Sequence, residues 1–187
     1  MKKILFNDKF GLTKAVLEGR KTMTRRIIPR RLLASYQFKS NVTPGYEKDF
    51  FLKHSPYKIG EIIAIAQSYN SFYDETYNPT LFPPGKGWDN KMFVKASLMP
   101  HAIEITDVRV ERLQDITSED CLREGIEKFD VFGTPSSYIF SDAKNNIYPK
   151  GWCTEPKEAF ALLIDKVSGK GTWDSNPWVF AYTFELK

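Results

Sequence analysis

The sequence predicts an α+β domain, a small mixed β-barrel with peripheral helices and long irregular insertions. Three observations carry this. Apolar segments of strand length recur along the chain, yet the connections between them are long and lack the strand–helix–strand rhythm of a parallel sheet. Residues 102–113, AIEITDVRVERL, alternate apolar and polar side chains as a half-buried strand requires. The length of 187 residues is that of one domain spanning 1–187, enough to bury about 70% of the unfolded chain's surface without a metal or a disulfide.

Lys3–Phe6 is the first strand. Asn7 or Asp8 caps a helix running to about Glu18, with Phe10, Ala15, Val16 and Leu17 as its apolar side, and Gly19 is placed to end it in the left-handed conformation. Residues 29–58 are polar and proline-punctuated, without clean periodicity, and form a first insertion expected to be irregular apart from one helical turn. Glu61–Ser68, EIIAIAQS, is a strand introduced by Gly60. A second insertion covers 69–95, with aromatics before Pro79, then Pro83, Pro84, Gly85 and Gly87; within it Lys91–Ala96 is a strand candidate.

Beyond the strand at 102–113, Thr117 caps a short helix that ends at Gly125, and Asp120 is placed to reach back to the cap. Residues 129–153, loop-like and aromatic, form the third insertion. Pro156–Val167 is a helix with Phe160, Leu163, Ile164 and Val167 on one stripe. The loop GKGTWDSNP follows, and Trp178–Leu186, WVFAYTFEL, is the closing strand. Insertions of this length commonly serve function or face a partner.

Composition narrows the function classes. A 42% hydrophobic, 27% charged chain is globular rather than disordered or coiled-coil. No apolar run approaches the roughly 20 residues of a bilayer span, so no membrane partner is expected. The apolar stretch after Lys2 and Lys3 is too short for a signal-peptide core, and the expected location is cytoplasmic. Cys121 and Cys153 lie 32 residues apart without metal-type spacing and read as a reduced, structural pair. His54 and His101 belong to no nucleophile pattern, so neither a histidine triad, a metal nor a cofactor is expected. GKGW at 85–88 and GKGTW at 169–173 are not phosphate-binding P-loops, because the first glycine at the required spacing is missing.

The net charge of +4 is unevenly placed. Residues 20–31, RKTMTRRIIPRR, hold six basic side chains and no acid, so the remaining 21 basic residues face 23 acidic ones. This cluster either receives a phosphate-bearing or acidic partner or is a solvated charged face.

Within the cluster the sharpest pattern is Gly19-x-Lys21-x-x-Thr24-x-Arg26. In a hydrolytic role, Thr24 attacks a carbonyl carbon, and Lys21 takes its proton once burial and the charges of Arg20, Arg25 and Arg26 disfavour the ammonium form. A regular strand turns positions 21 and 24 to opposite faces. They converge only if the chain bends at Thr22–Met23 or Lys21 lies in the corner before the strand. In a binding role, Arg20, Arg25 and Arg26 grip phosphates in bidentate fashion. Trp173 and Trp178, with Tyr69 and Phe72 behind them, supply surfaces for unpaired bases. Each residue also has a plainer role: a salt bridge to Asp115 or Glu124 for Lys21 and Arg26, strand packing for Thr24, and core for Trp178 and Phe180.

With these four residues after the first helix, the chain resembles the ASCH domain family of the PUA-like fold, whose signature is glycine, lysine, threonine and arginine at this spacing. VERLQDITSEDCLREGI, residues 110–126, resembles the family's strand and short acid-bearing helix, the acid falling at Glu124. KGTWDSNPWVFAYTFEL resembles the last strand of longer members of phage and mobile-element type. The likeness touches about residues 3–28, 59–68, 102–126 and 155–186 and leaves the three insertions outside it.

The resemblance implies a PUA-like barrel that binds a modified nucleoside or RNA. It implies Lys21, Thr24 and Glu124 as catalytic residues of an amidohydrolase acting on an N4-acylated cytidine-like amide, with Glu124 protonating the leaving amine or holding the lysine. Gly19, Arg20, Arg25, Arg26 and Trp173 are then the RNA- or substrate-binding set. A non-catalytic RNA-binding module, and a scaffold docking a protein partner through the aromatic insertions, stand beside this reading.

Overall fold

The structure is a computed structural model that describes residues 1–37, 46–72, 85–130, 136–140 and 153–187. A five-stranded sheet organises it. In chain order its strands are β1 (Lys3–Ile4), β2 (Met23–Ile27), β3 (Ile62–Ile65), β4 (Ala102–Arg112) and, after the short hairpin of β5 (Glu127–Phe129) and β6 (Ser137–Ile139), β7 (Trp178–Leu186). The spatial order is β1-β3-β4-β7-β2; β1 runs parallel to β3, and every other pair is antiparallel.

The two strands with the clearest sequence patterns, β4 and β7, pair along their length at the centre, with a register shift between Ile105 and Asp107 that bends the ladder. Their inward side chains, Ile103, Ile105, Val110, Phe180 and Phe184, are buried with Ile4, Ile63 and Ile65 in one core. Helices α1 (Leu12–Leu17) and α5 (Pro156–Ser168) add Leu12, Val16, Phe160 and Leu163 to that core.

The α+β class holds, but the expected barrel is an open sheet: among the described residues no ladder joins β1 to β2. With two residues, β1 is too short to carry a second ladder. A side chain spans the gap instead, the Arg26 Nη2 donating to the Leu5 carbonyl at 2.5 Å.

The insertions differ most from expectation. Residues 29–58 hold two helices, α2 (Arg30–Gln37) and α3 (Tyr46–Lys53). Their stability comes from tertiary aromatic packing, which periodicity does not report: Tyr36 lies 5.5 Å from Phe50 and 5.4 Å from Phe51, and Phe51 lies 6.1 Å from Trp178 between ring centroids. The strand expected at Lys91–Ala96 is a pair of 3₁₀ turns, Lys91–Phe93 and Ala96–Leu98, the first started by the Asn90 side chain accepting from Met92 N–H. Within 129–153, the hairpin of β5 and β6 replaces part of the expected loop, and residues 131–135 and 141–152, like 73–84, lie outside the described residues.

The first helix is interrupted. Asn7 caps a 3₁₀ turn over Asp8–Phe10, and α1 starts only after Gly11. GKGW at 85–88 has a packing role, since a Cβ on Gly87 would lie 2.6 Å from the Tyr69 ring. In GKGTW, the Asp165 carboxylate accepts from Gly171 N–H and Trp173 N–H, folding the loop back on the end of α5.

No helix among the described residues is long and apolar enough to cross a membrane. Cys121 and Cys153 are free, buried thiols.

Candidate active site

Helix α1 ends at Leu17, and two residues on, Gly19 takes φ +72° and turns the chain toward β2. Two hydrogen bonds fix the corner: Lys21 N–H donates to Ala15 O and Thr22 N–H to Arg123 O, each at 2.9 Å. Regular pairing with β7 begins at Met23, so Lys21 sits in the corner and is free of the strand's alternation. It therefore shares a side with Thr24 and Arg26, and Arg25 points the other way.

Lys21 is 2% exposed, and its Nζ donates to Glu124 Oε2 at 2.6 Å and to the Glu124 carbonyl at 2.7 Å. Glu124 follows α4 (Ser118–Arg123), whose start is capped by Thr117 Oγ1 accepting from Asp120 N–H. Gly125, at φ +101°, turns the chain away, and a Cβ there would lie 3.3 Å from Leu12 and 3.7 Å from the Lys21 side chain. A side chain at 125 would crowd the lysine.

Asp120 does not reach back to the cap as expected, because its carboxylate serves the arginines: Arg25 Nη2 at 2.7 Å and Arg109 Nη2 at 2.8 Å. Arg25 also donates to Glu111 Oε1 at 2.8 Å and to Glu124 Oε1 at 3.2 Å. Glu124 thus gives one oxygen to Lys21 and the other to Arg25.

Burial drives the Lys21 ammonium well below its ordinary range; Glu124 opposes this, and the charges of Arg26 and Arg25 reinforce it. For Arg25, burial acts the same way, but Glu124, Glu111 and Asp120 outweigh it and raise its value. Burial also lowers Arg26. Asp120 is lowered because Arg25 and Arg109 outweigh its burial. The Cys121 thiol beside this cluster is pushed up to about 12, chiefly by burial, and is no nucleophile.

Lys21, Thr24, Arg26 and Glu124 line one cavity of about 470 Å³. Thr24 is 5% exposed, and its hydroxyl makes no hydrogen bond among the described residues. Arg26 has no carboxylate partner there, and its Nε is enclosed without an acceptor. Phe6 lies beside both cations, its ring centroid 6.0 Å from Lys21 Nζ and 5.7 Å from the Arg26 guanidinium carbon.

The other expected site residues lie elsewhere. Arg25 is enclosed among its three carboxylates, with no free donor face for a phosphate. Arg20 is exposed and bound to Glu18 at 2.6 Å and Glu127 at 2.9 Å. Gly19 shapes the corner and is not part of this cavity's lining. Trp173 packs edge-on against Phe160, centroids 6.2 Å apart, outside the cavity. Trp178 is stacked by Arg112 at 4.4 Å, and Tyr69 is buried against Phe72 in a satellite cluster.

Several lining residues carry no local signal in the sequence. Lys91 reaches the cavity from the second insertion, pairs with Asp8 at 2.7 Å and donates to the Phe6 carbonyl. Asn7 and Asp8 read as caps yet also line it. Leu163 and Ile164 read as core, which they are, while one side of each faces this space. Among the described residues no three histidine, cysteine, aspartate or glutamate side chains are grouped to hold a metal ion.

No protein-family model matches the chain, and no curated protein or solved structure matches it.

Proposed function

We propose that this is an ASCH-type, PUA-like domain whose cavity hydrolyses an N4-acylated cytidine-like amide. The observation that carries this reading is a buried lysine, lowered by its surroundings and held by Glu124, in the same cavity wall as an unengaged threonine hydroxyl.

Neutral Lys21 Nζ takes the proton from Thr24 Oγ1 as the oxygen attacks the amide carbon. Arg26, a cation in the same wall, stabilises the negative charge that develops on the carbonyl oxygen. Collapse breaks the C–N bond, and Lys21 returns its proton to the departing N4 nitrogen. Water then attacks the Thr24 ester through the same lysine and releases the carboxylic acid. Glu124 holds Nζ in place throughout.

The phosphate-gripping alternative is weaker, because Arg20 and Arg25 are committed to carboxylates of the chain itself. For the first insertion the partner-docking alternative also loses ground: Phe50 and Phe51 are buried and Tyr36 packs against them.

Thr24→Val keeps the shape of the side chain and removes the hydroxyl. Cytidine release from an N4-acylcytidine is expected to fall at least about 100-fold in this variant. Equal release by wild type and Thr24→Val would remove threonine from the mechanism.

A further inference from the structure

We propose that the cavity is built for amides with an extended apolar acyl group, laid along α5 while the amide carbon sits at Thr24. This rests on the hydrolytic reading and names its substrate class.

Four α5 side chains, Phe160, Leu163, Ile164 and Val167, recur at the spacing of one helix face, and all four line the cavity. A stripe of this kind normally fills a core. Here it also borders about 470 Å³ of open space. None of the polar side chains of α5 is part of the lining, whereas the polar lining comes from the α1–β2 corner, β2, Glu124 and the segments around Asp8 and Asp89. The α5 side of the cavity is thus apolar, and the Lys21, Thr24, Arg26 and Glu124 groups come from other elements.

Exposure increases along the apolar part. Phe160, Leu163 and Ile164 are 2%, 3% and 8% exposed, while Val167 and Met92, also in the lining, are 39% and 60% exposed. The apolar lining thus runs from enclosed side chains to exposed ones. Water gains little beside such a wall, and an acetyl group would leave most of it bare. A butanoyl, hexanoyl or benzoyl group covers it. In the reaction the C–N bond breaks, the acyl group passes through the Thr24 ester to water, and the products are the longer carboxylic acid and the free cytidine amine.

The test is kcat/KM for N4-acetyl-, N4-butanoyl- and N4-hexanoylcytidine, the last two being electronically alike. A rise of about fourfold per methylene up to hexanoyl is expected. Ile164→Trp, which fills the α5 side of the cavity, is expected to lower the hexanoyl-to-acetyl ratio at least tenfold. Because that variant places a large ring in a packed region, a second measurement uses wild type alone: N4-hexylcytidine, which cannot be hydrolysed, is expected to bind more tightly than N4-methylcytidine. Cleavage of all three acyl compounds without a chain-length trend overturns this inference and leaves the hydrolytic reading intact. Equal affinity for the two alkyl probes also overturns it alone. Absence of cleavage at every chain length overturns both.

Discussion

Lys21 and Glu124 are joined twice: the lysine Nζ donates to the glutamate carboxylate at 2.6 Å and to the same residue's main-chain carbonyl at 2.7 Å. The second bond ties the lysine to the backbone at the end of α4, so its head cannot swing with the carboxylate alone. A buried lysine held in this way is fixed in position, and its proton affinity is set first by burial and then by the charges around it.

Burial, reinforced by the charges of Arg26 and Arg25 and opposed by Glu124, makes Lys21 titrate below the ordinary lysine value of 10.5. The neutral form is the base, so kcat/KM rises with pH through the lowered value and levels off above it. Stability follows the same window. Between the folded value and 10.5 the unfolded chain binds the proton and the folded one does not, so stability rises with pH across that interval. Titration of the lysine ¹³Cε resonance, assigned with Lys21→Met, checks both statements.

Arg25 contributes to this through Glu124. Its removal in Arg25→Met leaves three carboxylates, the buried Asp120 and Glu124 among them, short of a partner and costs about 3–5 kcal/mol in chemical denaturation. In folded Arg25→Met, Glu124 answers to Lys21 alone, and the lysine resonance titrates at higher pH than in wild type. The acid limb of the rate profile moves the same way.

Asp120 changes stability in the same sense over a lower pH range. Its carboxyl is held below 3.8 in the fold by Arg25 and Arg109, so its stabilising contribution is present above 3.8 and is lost as pH falls through the lowered value. Asp120→Asn is therefore expected to give a shallower loss of Tm on acidification below that point, from a lower starting Tm at neutral pH.

Gly87 tests the packing of the second insertion. Alanine there would meet the Tyr69 ring at 2.6 Å, and Gly87→Ala is expected to destabilise the chain by about 1–3 kcal/mol through overpacking. Lys91 reaches the cavity from the same insertion, so substrate KM is expected to rise in this variant.

Much of this was legible in the chain. The alternation of Ala102–Leu113 and the apolar run Trp178–Leu186 announce the two central strands, and Thr117 announces α4 by a side-chain cap that depends on three neighbouring residues. The spacing from Gly19 to Arg26 also left two routes by which Lys21 and Thr24 could share a side, and the corner before β2 is the one taken. What was not legible depends on distant contacts. Helices α2 and α3 are stabilised by aromatic packing that links Tyr36 to Phe50 and Phe51, and Phe51 to Trp178 at the far end of the sequence. The closure of the barrel failed on the length of β1. Arg25 looked like its neighbours in a basic run, yet the alternation of β2 sends it to Glu111 and Asp120, partners 86 and 95 residues away.

The most direct test of the central claim is cytidine release from an N4-acylcytidine by wild type and Lys21→Met assayed side by side, with Tm recorded for both. The account predicts release by wild type and a loss of at least about 100-fold in a Lys21→Met protein that remains folded. Release by folded Lys21→Met at the wild-type rate would contradict it.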